Sequence, residues 1–136
     1  MDLTDAIAVL LEHYPELQAI WCFGSRATGM ARPDSDLDLA LLLEPNQARD
    51  VRSLGCTPCV PALSLKLGLE IDLLNLRQLS TVVQLEVIRS GQVIHVADQE
   101  ALLAFEMQVL SAYQKLNEER SGILKSFHET KRAYPV

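Results

Sequence analysis

The segment from Trp21 to Leu43, "WCFGSRATGMARPDSDLDLALLL", constrains the fold more than any other part of the chain. An apolar run ends at Gly24-Ser25, a loop follows, and Asp36-Leu37-Asp38 then opens a second apolar run. Short apolar runs bounded by turn residues are typical of buried strands. The segment therefore predicts a strand, a turn, a loop and a second strand that begins with two carboxylates.

Asp36 and Asp38 are expected to point to one face of the second strand, because alternate strand residues share a face. Two bare carboxylates so close together repel each other, and one of them is driven to protonate. A divalent cation removes this conflict, and Mg²⁺ usually takes one or two carboxylates together with substrate phosphates. The pair therefore predicts a metal site that works with a phosphate ligand.

Gly24-Ser25 is the expected phosphate site. A glycine lets the backbone approach a phosphate closely, and "SRAT" is consistent with the first turn of a helix, where amide groups bind anions. Arg26 adds a positive charge. The loop between the two motifs would bring the metal pair across from this cradle, with a nucleoside triphosphate between them.

Asp72 interrupts the otherwise apolar face of a third predicted strand, "LEIDLLNL". If this strand lies beside the second one, Asp72 joins Asp36 and Asp38. Three carboxylates can hold two metal ions about 3.5–4 Å apart, the arrangement used for in-line phosphoryl or nucleotidyl displacement. Taken singly, the three aspartates could also be loop caps or exposed strand ends, but that interpretation leaves their combination with Gly-Ser unexplained.

This constellation resembles the polymerase-beta-type nucleotidyltransferase superfamily, whose signature is Gly-Ser, ten to a dozen residues, Asp-x-Asp and a later strand aspartate. Within it, "GSRATGMARPDSDLDLALLL" is most similar to the minimal nucleotidyltransferase family, the MntA-like antitoxins of HEPN/MNT (HepT/MntA) toxin–antitoxin systems. The resemblance covers residues 5 to 96. It implies an α+β, α/β-like nucleotidyltransferase fold, with a small mixed sheet flanked by helices.

The resemblance implies that the chain transfers AMP from ATP to a tyrosine hydroxyl of a HEPN-domain RNase toxin and so silences it. By motif position, Gly24 and Ser25 would hold the triphosphate, with Arg26 beside them.

The resemblance also assigns the acids. Asp36 and Asp38 would ligate both Mg²⁺ ions, for which Mn²⁺ is an expected substitute, and Asp72 would ligate one ion and act as general base. Since all three acids are present, we expect an active enzyme.

Two other functions stay open at this point. One is a binding antitoxin that masks its toxin by contact, and the other is a small-molecule nucleotidyltransferase of the antibiotic-modifying type. The formal net charge of −6 disfavours an RNA or primer acceptor, since holding such a strand needs clustered Lys and Arg. An acidic surface instead suits a basic, RNA-binding protein partner.

The remaining pattern predicts a single domain over residues 1–136, in which helices and strands alternate. Residues 44–59 could not be assigned. Helices are predicted at 4–13 with Thr4 as N-cap, at 61–68 with Pro61 first and Gly68 past the end, at 78–90, and at 98–130 with Asp98 as cap. Strands are predicted at 18–23, 36–43, 69–76 and, at an edge, 92–96.

In the last helix, Leu102, Phe105 and Val109 belong to an apolar stripe that is expected to pack on the sheet, and Leu103, Met107 and Leu110 are expected to widen it. The second half of this helix either lies on its own domain or docks a partner.

The three cysteines are too few for a disulfide framework. The pair Cys56 and Cys59 has Cys-x-x-Cys spacing but lacks further zinc ligands, and so loop thiols are the preferred interpretation. The chain has no apolar run of membrane-spanning length and no basic leader, and a cytoplasmic location is therefore expected.

Overall fold

The computed structural model describes residues 3–24, 36–51 and 58–130, with side chains described up to residue 122. Each predicted helix and strand is present, with bounds shifted by only a few residues. The helices are α1 Thr4–His13, α2 Pro45–Val51, α3 Cys59–Leu67, α4 Thr81–Ser90 and α5 Gln99–Thr130; the strands are β1 Ala19–Phe23, β2 Leu37–Leu42, β3 Ile71–Asn75 and β4 Gln92–Val96; and a 3₁₀ turn spans Leu76–Gln78.

The four strands form one mixed sheet in the order β3-β2-β1-β4. β1 is antiparallel to both β2 and β4, and β2 is parallel to β3. β4 lies at an edge, as predicted. Because parallel neighbours cannot be joined by a tight hairpin, the chain between β2 and β3 makes a crossover, and α2 and α3 lie within it.

The sheet is covered on both faces. Leu37, Leu39 and Leu41 of β2 pack with residues of α1 and α3, while Ala40 and Leu42 pack with residues of α4 and α5. This confirms the prediction that the second strand ends apolar on both faces, and it gives three layers, helix–sheet–helix. Across the described ranges, no helix combines the length and the hydropathy needed to cross a bilayer.

α2 lies in the segment that the sequence left unassigned. It is short and buries only Ala48, so it has no periodic apolar face. Its start is fixed by Glu44, whose carboxylate accepts hydrogen bonds from the backbone N–H groups of Asn46 at 3.0 Å and Gln47 at 3.2 Å. Asn75 Nδ2 donates to the Ala48 carbonyl at 2.8 Å and ties α2 to the end of β3.

Two predicted helix starts are wrong. Leu3 occupies the N-cap position of α1 without a side-chain cap hydrogen bond, and Thr4 is the first helical residue. α3 begins at Cys59 after Pro58, so Pro61 lies within the first turn, where a backbone N–H has no partner inside the helix. The predicted end is confirmed, because Gly68 closes α3 with a left-handed φ of 68°.

The first half of α5 packs on the sheet, as predicted. Leu102, Phe105 and Val109 are buried, and the ring of Phe105 lies 6.3 Å from that of Trp21 in β1. The predicted cap is also present, since Asp98 Oδ1 accepts a hydrogen bond from the Ala101 N–H at 3.0 Å.

The expectation that Leu103, Met107 and Leu110 widen this core face is wrong. Their side chains are 50%, 70% and 52% exposed. Steps of four and three residues keep them on one side of the helix, and that side faces away from the core. We call these three residues the outer stripe of α5.

We predict that a chain ending at Leu116 folds with nearly unchanged stability. The α5 residues from 117 to 122 are exposed, whereas Leu116 is the last half-buried one described. The midpoint of denaturant unfolding checks this. As the matched control, Phe105→Ala should cost about 3–5 kcal/mol, the usual range for emptying a buried aromatic site. Loss of folding on truncation would mean that the rest of α5 belongs to the domain core.

Candidate active site

The parallel pairing of β2 with β3 brings two of the predicted acids together. Asp38 and Asp72 are register partners across the two strands, and neighbouring strands lie about 4.8 Å apart. Asp36 lies immediately before β2. The structure therefore places Asp38 and Asp72 side by side. Asp36 lies two residues before Asp38 in the chain, just ahead of the first residue of β2.

The acids occupy the end of the sheet face that α4 and α5 cover. Asp38 lies on the same face of β2 as Ala40 and Leu42, because alternate residues of a strand share a face. Ala40 and Leu42 pack under those two helices. Asp38 is half-buried, whereas Asp36 and Asp72 are exposed. The buried apolar face of the sheet therefore ends in an exposed polar region, where a ligand can reach the carboxylates.

The charge balance of this end is unfavourable without a cation. The pKa of Asp38 is raised above its ordinary value of 3.8, first by burial of its carboxyl group, then by the negative charge of Asp72 and then by that of Asp36. All three causes disfavour the ionised form of Asp38. This is the situation that a bound divalent cation relieves.

Gly24 completes the site on the β1 side. Phe23 is the register partner of Asp38, and Gly24 leaves the strand with a φ of 73°. A Cβ atom on Gly24 would collide with Oδ2 of Asp38 and lie 3.4 Å from its Cγ. The absence of a side chain at position 24 is therefore what leaves room for the Asp38 carboxylate.

The donor set suits Mg²⁺ or Mn²⁺, because it consists of carboxylate oxygens near a glycine turn. It is not a preformed cage: within the described ranges, no three His, Cys, Asp or Glu side chains converge closely enough to hold a metal ion. Ser25 and Arg26 lie outside the described residues.

The sequence missed one role. Gly24 was assigned to backbone approach toward a phosphate, while its contact with Asp38 depends on strand register. A signal existed in principle, because two adjacent antiparallel strands bring the last residues of β1 opposite the first residues of β2.

The cysteines show no redox or metal centre in the described part of the chain. Cys22 is buried in β1, as predicted, and Cys59 is buried at the start of α3. The interpretation of Cys59 as a loop thiol is therefore wrong. Burial raises the pKa of Cys59 to about 11, so its thiol stays protonated and unreactive at neutral pH. Cys56 lies outside the described residues.

Comparison with known proteins gives two matches by sequence. The family described as "Polymerase beta, Nucleotidyltransferase" matches residues 5–100. The protein adenylyltransferase MntA of Shewanella oneidensis is 31% identical over 118 residues, which is 87% of this chain and 81% of MntA.

Two solved structures are similar over nearly the whole chain. A crystal structure of a toxin–antitoxin with AMP-PNP matches with a TM-score of 0.70 and 28% identity, over 94% of this chain and 99% of the matched one. A tri-AMPylated Shewanella oneidensis HEPN toxin in complex with MNT antitoxin matches with a TM-score of 0.62 and 26% identity, over 91% and 93% of the two chains.

We predict that Gly24→Ala destabilises the chain more than Gly68→Ala. Both glycines have a left-handed φ, but a Cβ on Gly68 would meet nothing within 4 Å. Gly68→Ala should therefore cost only the backbone strain of about 1–2 kcal/mol, and Gly24→Ala should cost about 0.5–1.5 kcal/mol more, because the Asp38 carboxylate must turn out of its preferred rotamer. Denaturant unfolding measures both. The excess should disappear in an Asp38→Ala background; if it persists there, Gly24 does not make room for that carboxylate.

Proposed function

The chain belongs to the polymerase-beta nucleotidyltransferase family, and we propose that it transfers AMP from ATP to a tyrosine hydroxyl of a HEPN-type RNase toxin, which neutralises the toxin. The observation that carries this proposal is the placement of Asp38 beside Asp72, next to Gly24, in a chain 31% identical to a protein adenylyltransferase. The existence of a tri-AMPylated HEPN toxin in complex with an MNT antitoxin supports the choice of acceptor.

The acids have distinct proposed roles. Asp36 and Asp38 would ligate two Mg²⁺ ions and Asp72 would ligate one of them. Such ions lower the pKa of an attacking hydroxyl and neutralise the charge of a triphosphate. Because Asp36 and Asp72 are exposed, their side chains can rotate toward a ligand, whereas Asp38 is half-buried and lies in register with Asp72.

The proposed AMP transfer exchanges one phosphorus–oxygen bond for another. The tyrosine oxygen forms a bond to the α-phosphorus of ATP, the bond from that phosphorus to the bridging oxygen of pyrophosphate breaks, and the hydroxyl proton passes to Asp72 as general base. Gly24 and Ser25, with Arg26 beside them, would hold the triphosphate in line for this displacement.

A folded protein is the acceptor best suited to this chain. The net charge of −6 repels an RNA or primer strand, whereas it attracts a basic RNA-binding protein. The outer stripe of α5 adds exposed apolar area of the kind that marks protein contacts. A phosphate-bearing group on a tyrosine near the toxin's RNA-cleaving site would then repel RNA and block its entry.

The second candidate is a binding antitoxin that masks the toxin without modifying it. The observation that favours it is that no three metal-ligating side chains converge within the described ranges. The two functions differ in stoichiometry, since an enzyme neutralises catalytically and a mask only in equal amounts.

Intact-mass measurement of the toxin, after incubation with ATP, Mg²⁺ and a catalytic amount of this chain, tests the proposal. We expect mass steps of one or more AMP groups and loss of RNase activity. The Asp36→Asn, Asp38→Asn double variant is the control, and it should fold and leave the toxin unmodified. An unmodified toxin that is neutralised only at equal amounts would establish the binding antitoxin, and AMP mass added only to an antibiotic included in the mixture would indicate a small-molecule enzyme.

We predict that Asp72→Asn lowers the rate of AMP transfer by at least 10²–10⁴-fold, the usual value of a general base. Its effect on ATP affinity should be much smaller, because Asp36 and Asp38 remain. Single-turnover rates and ATP titration, measured on the same preparation, separate the two quantities. Glu70→Gln is the matched control, since Glu70 is also an exposed acid, two residues away, just before β3. If Asp72→Asn transferred AMP as fast as Glu70→Gln and the unchanged chain, Asp72 would be a structural residue.

A further inference from the structure

A cavity of about 360 Å³ lies at the opposite end of the sheet from the acids, between α2, the 3₁₀ turn, α4 and α5. Arg77, on its wall, donates a hydrogen bond to the carbonyl of Leu43, the residue that follows β2. Asp38 lies near the start of that strand, roughly 16 Å away at the usual rise of an extended chain. The cavity is therefore separate from the proposed active site.

The charge of the cavity is opposite to that of the chain. Arg49 and Arg77 line it, and no acidic residue of the described ranges does, although the chain carries a net charge of −6. Glu44 is close enough to act electrostatically on Arg77. Its two carboxylate oxygens, however, accept hydrogen bonds from backbone N–H groups at the start of α2.

Arg77 is held rigidly but without a carboxylate at hydrogen-bond distance among the described residues. Its Nε donates to the Leu43 carbonyl and its Nη2 donates to Gln18 Oε1, both at 2.6 Å. Its guanidinium carbon lies 5.5 Å from the centre of the Phe105 ring. Burial lowers the pKa of Arg77, yet a guanidinium stays charged in proteins. Arg49 likewise donates to a neutral acceptor, Asn46 Oδ1.

The rest of the wall suits an organic body rather than a bare ion. Phe105 and Val109 supply apolar surface, and three amide side chains, Gln78, Gln84 and Gln108, supply hydrogen-bond donors and acceptors. The volume lies at the small end of the range for ligand sites, which combine apolar walls with a few polar groups, and it exceeds what one phosphate or carboxylate group fills.

We propose that this cavity is a second binding site, for a small organic anion whose phosphate or carboxylate group lies between Arg49 and Arg77. A guanidinium presents paired donors that match the oxygen atoms of either group. Arg77 is fixed before the ligand arrives, so little side-chain entropy is lost on binding. The site does not depend on the proposed AMP transfer.

Titration of the ¹⁵N-labelled full chain with inorganic phosphate and with succinate tests the proposal. Divalent ions are removed beforehand on a chelating resin, and without them the carboxylates of Asp36, Asp38 and Asp72 repel both anions from the acid end. We expect saturable shifts of the Arg77 side-chain N–H and of the Gln78, Gln84 and Gln108 amides. The anion that binds more tightly identifies the preferred group.

Arg49→Gln should weaken this binding by about tenfold or more, the effect of losing one charge-assisted hydrogen bond. Arg89→Gln is the matched control, because Arg89 is exposed in the last turn of α4 and does not line the cavity; it should leave the affinity unchanged. Equal weakening by both variants, shifts that map elsewhere, or no saturable shift with either anion would overturn the proposal.

Discussion

The parallel pairing of β2 with β3 is the constraint on which the rest of the structure depends. It sets Asp38 opposite Asp72, and it obliges the chain to make the crossover that contains α2 and α3. The leucines of β2 offset the repulsion between these two carboxylates, because Leu37, Leu39 and Leu41 are fully buried against α1 and α3. Apolar burial at about 25 cal/mol per Å² thus fixes two like charges next to each other.

The cost of that placement depends on pH. The pKa of Asp38 is raised in the folded chain, with burial as the largest cause. Its contribution to stability is therefore fully present below the unfolded value of 3.8 and is lost as the pH rises through the raised folded value. At neutral pH the ionised carboxylate opposes folding, as expected of a group kept for binding rather than for stability.

Local patterns gave the elements, while contacts between distant residues decided the details. The spacing from Gly24 to Asp38 and the alternation within β2 were sufficient to predict the strands and the acids, because both depend on neighbours along the chain. The contact between Gly24 and Asp38 depends on register, which no single segment encodes. α2 escaped prediction because it is anchored by Glu44 and Asn75 rather than by an apolar face of its own.

The outer stripe of α5 was misjudged for a related reason. A helix with apolar residues on two sides reads as one broad apolar face until the position of the sheet is known. Leu102, Phe105 and Val109 face the sheet, so Leu103 and Met107 necessarily face away.

Among the six predicted site residues, the structure describes Gly24 and the three aspartates.

The length of α5 gives the domain a lever. Its 32 residues span roughly 48 Å at the usual rise per residue, yet among its side chains up to residue 122 the buried ones lie in the first half of the helix. A tilt of about 10° at that anchored half would displace the far end by roughly 4 Å, given some 21 Å of helix beyond Leu116. A subtle repacking around Phe105, which touches both the sheet and Arg77, is thereby converted into a displacement large enough to change which surface the tip of the helix meets.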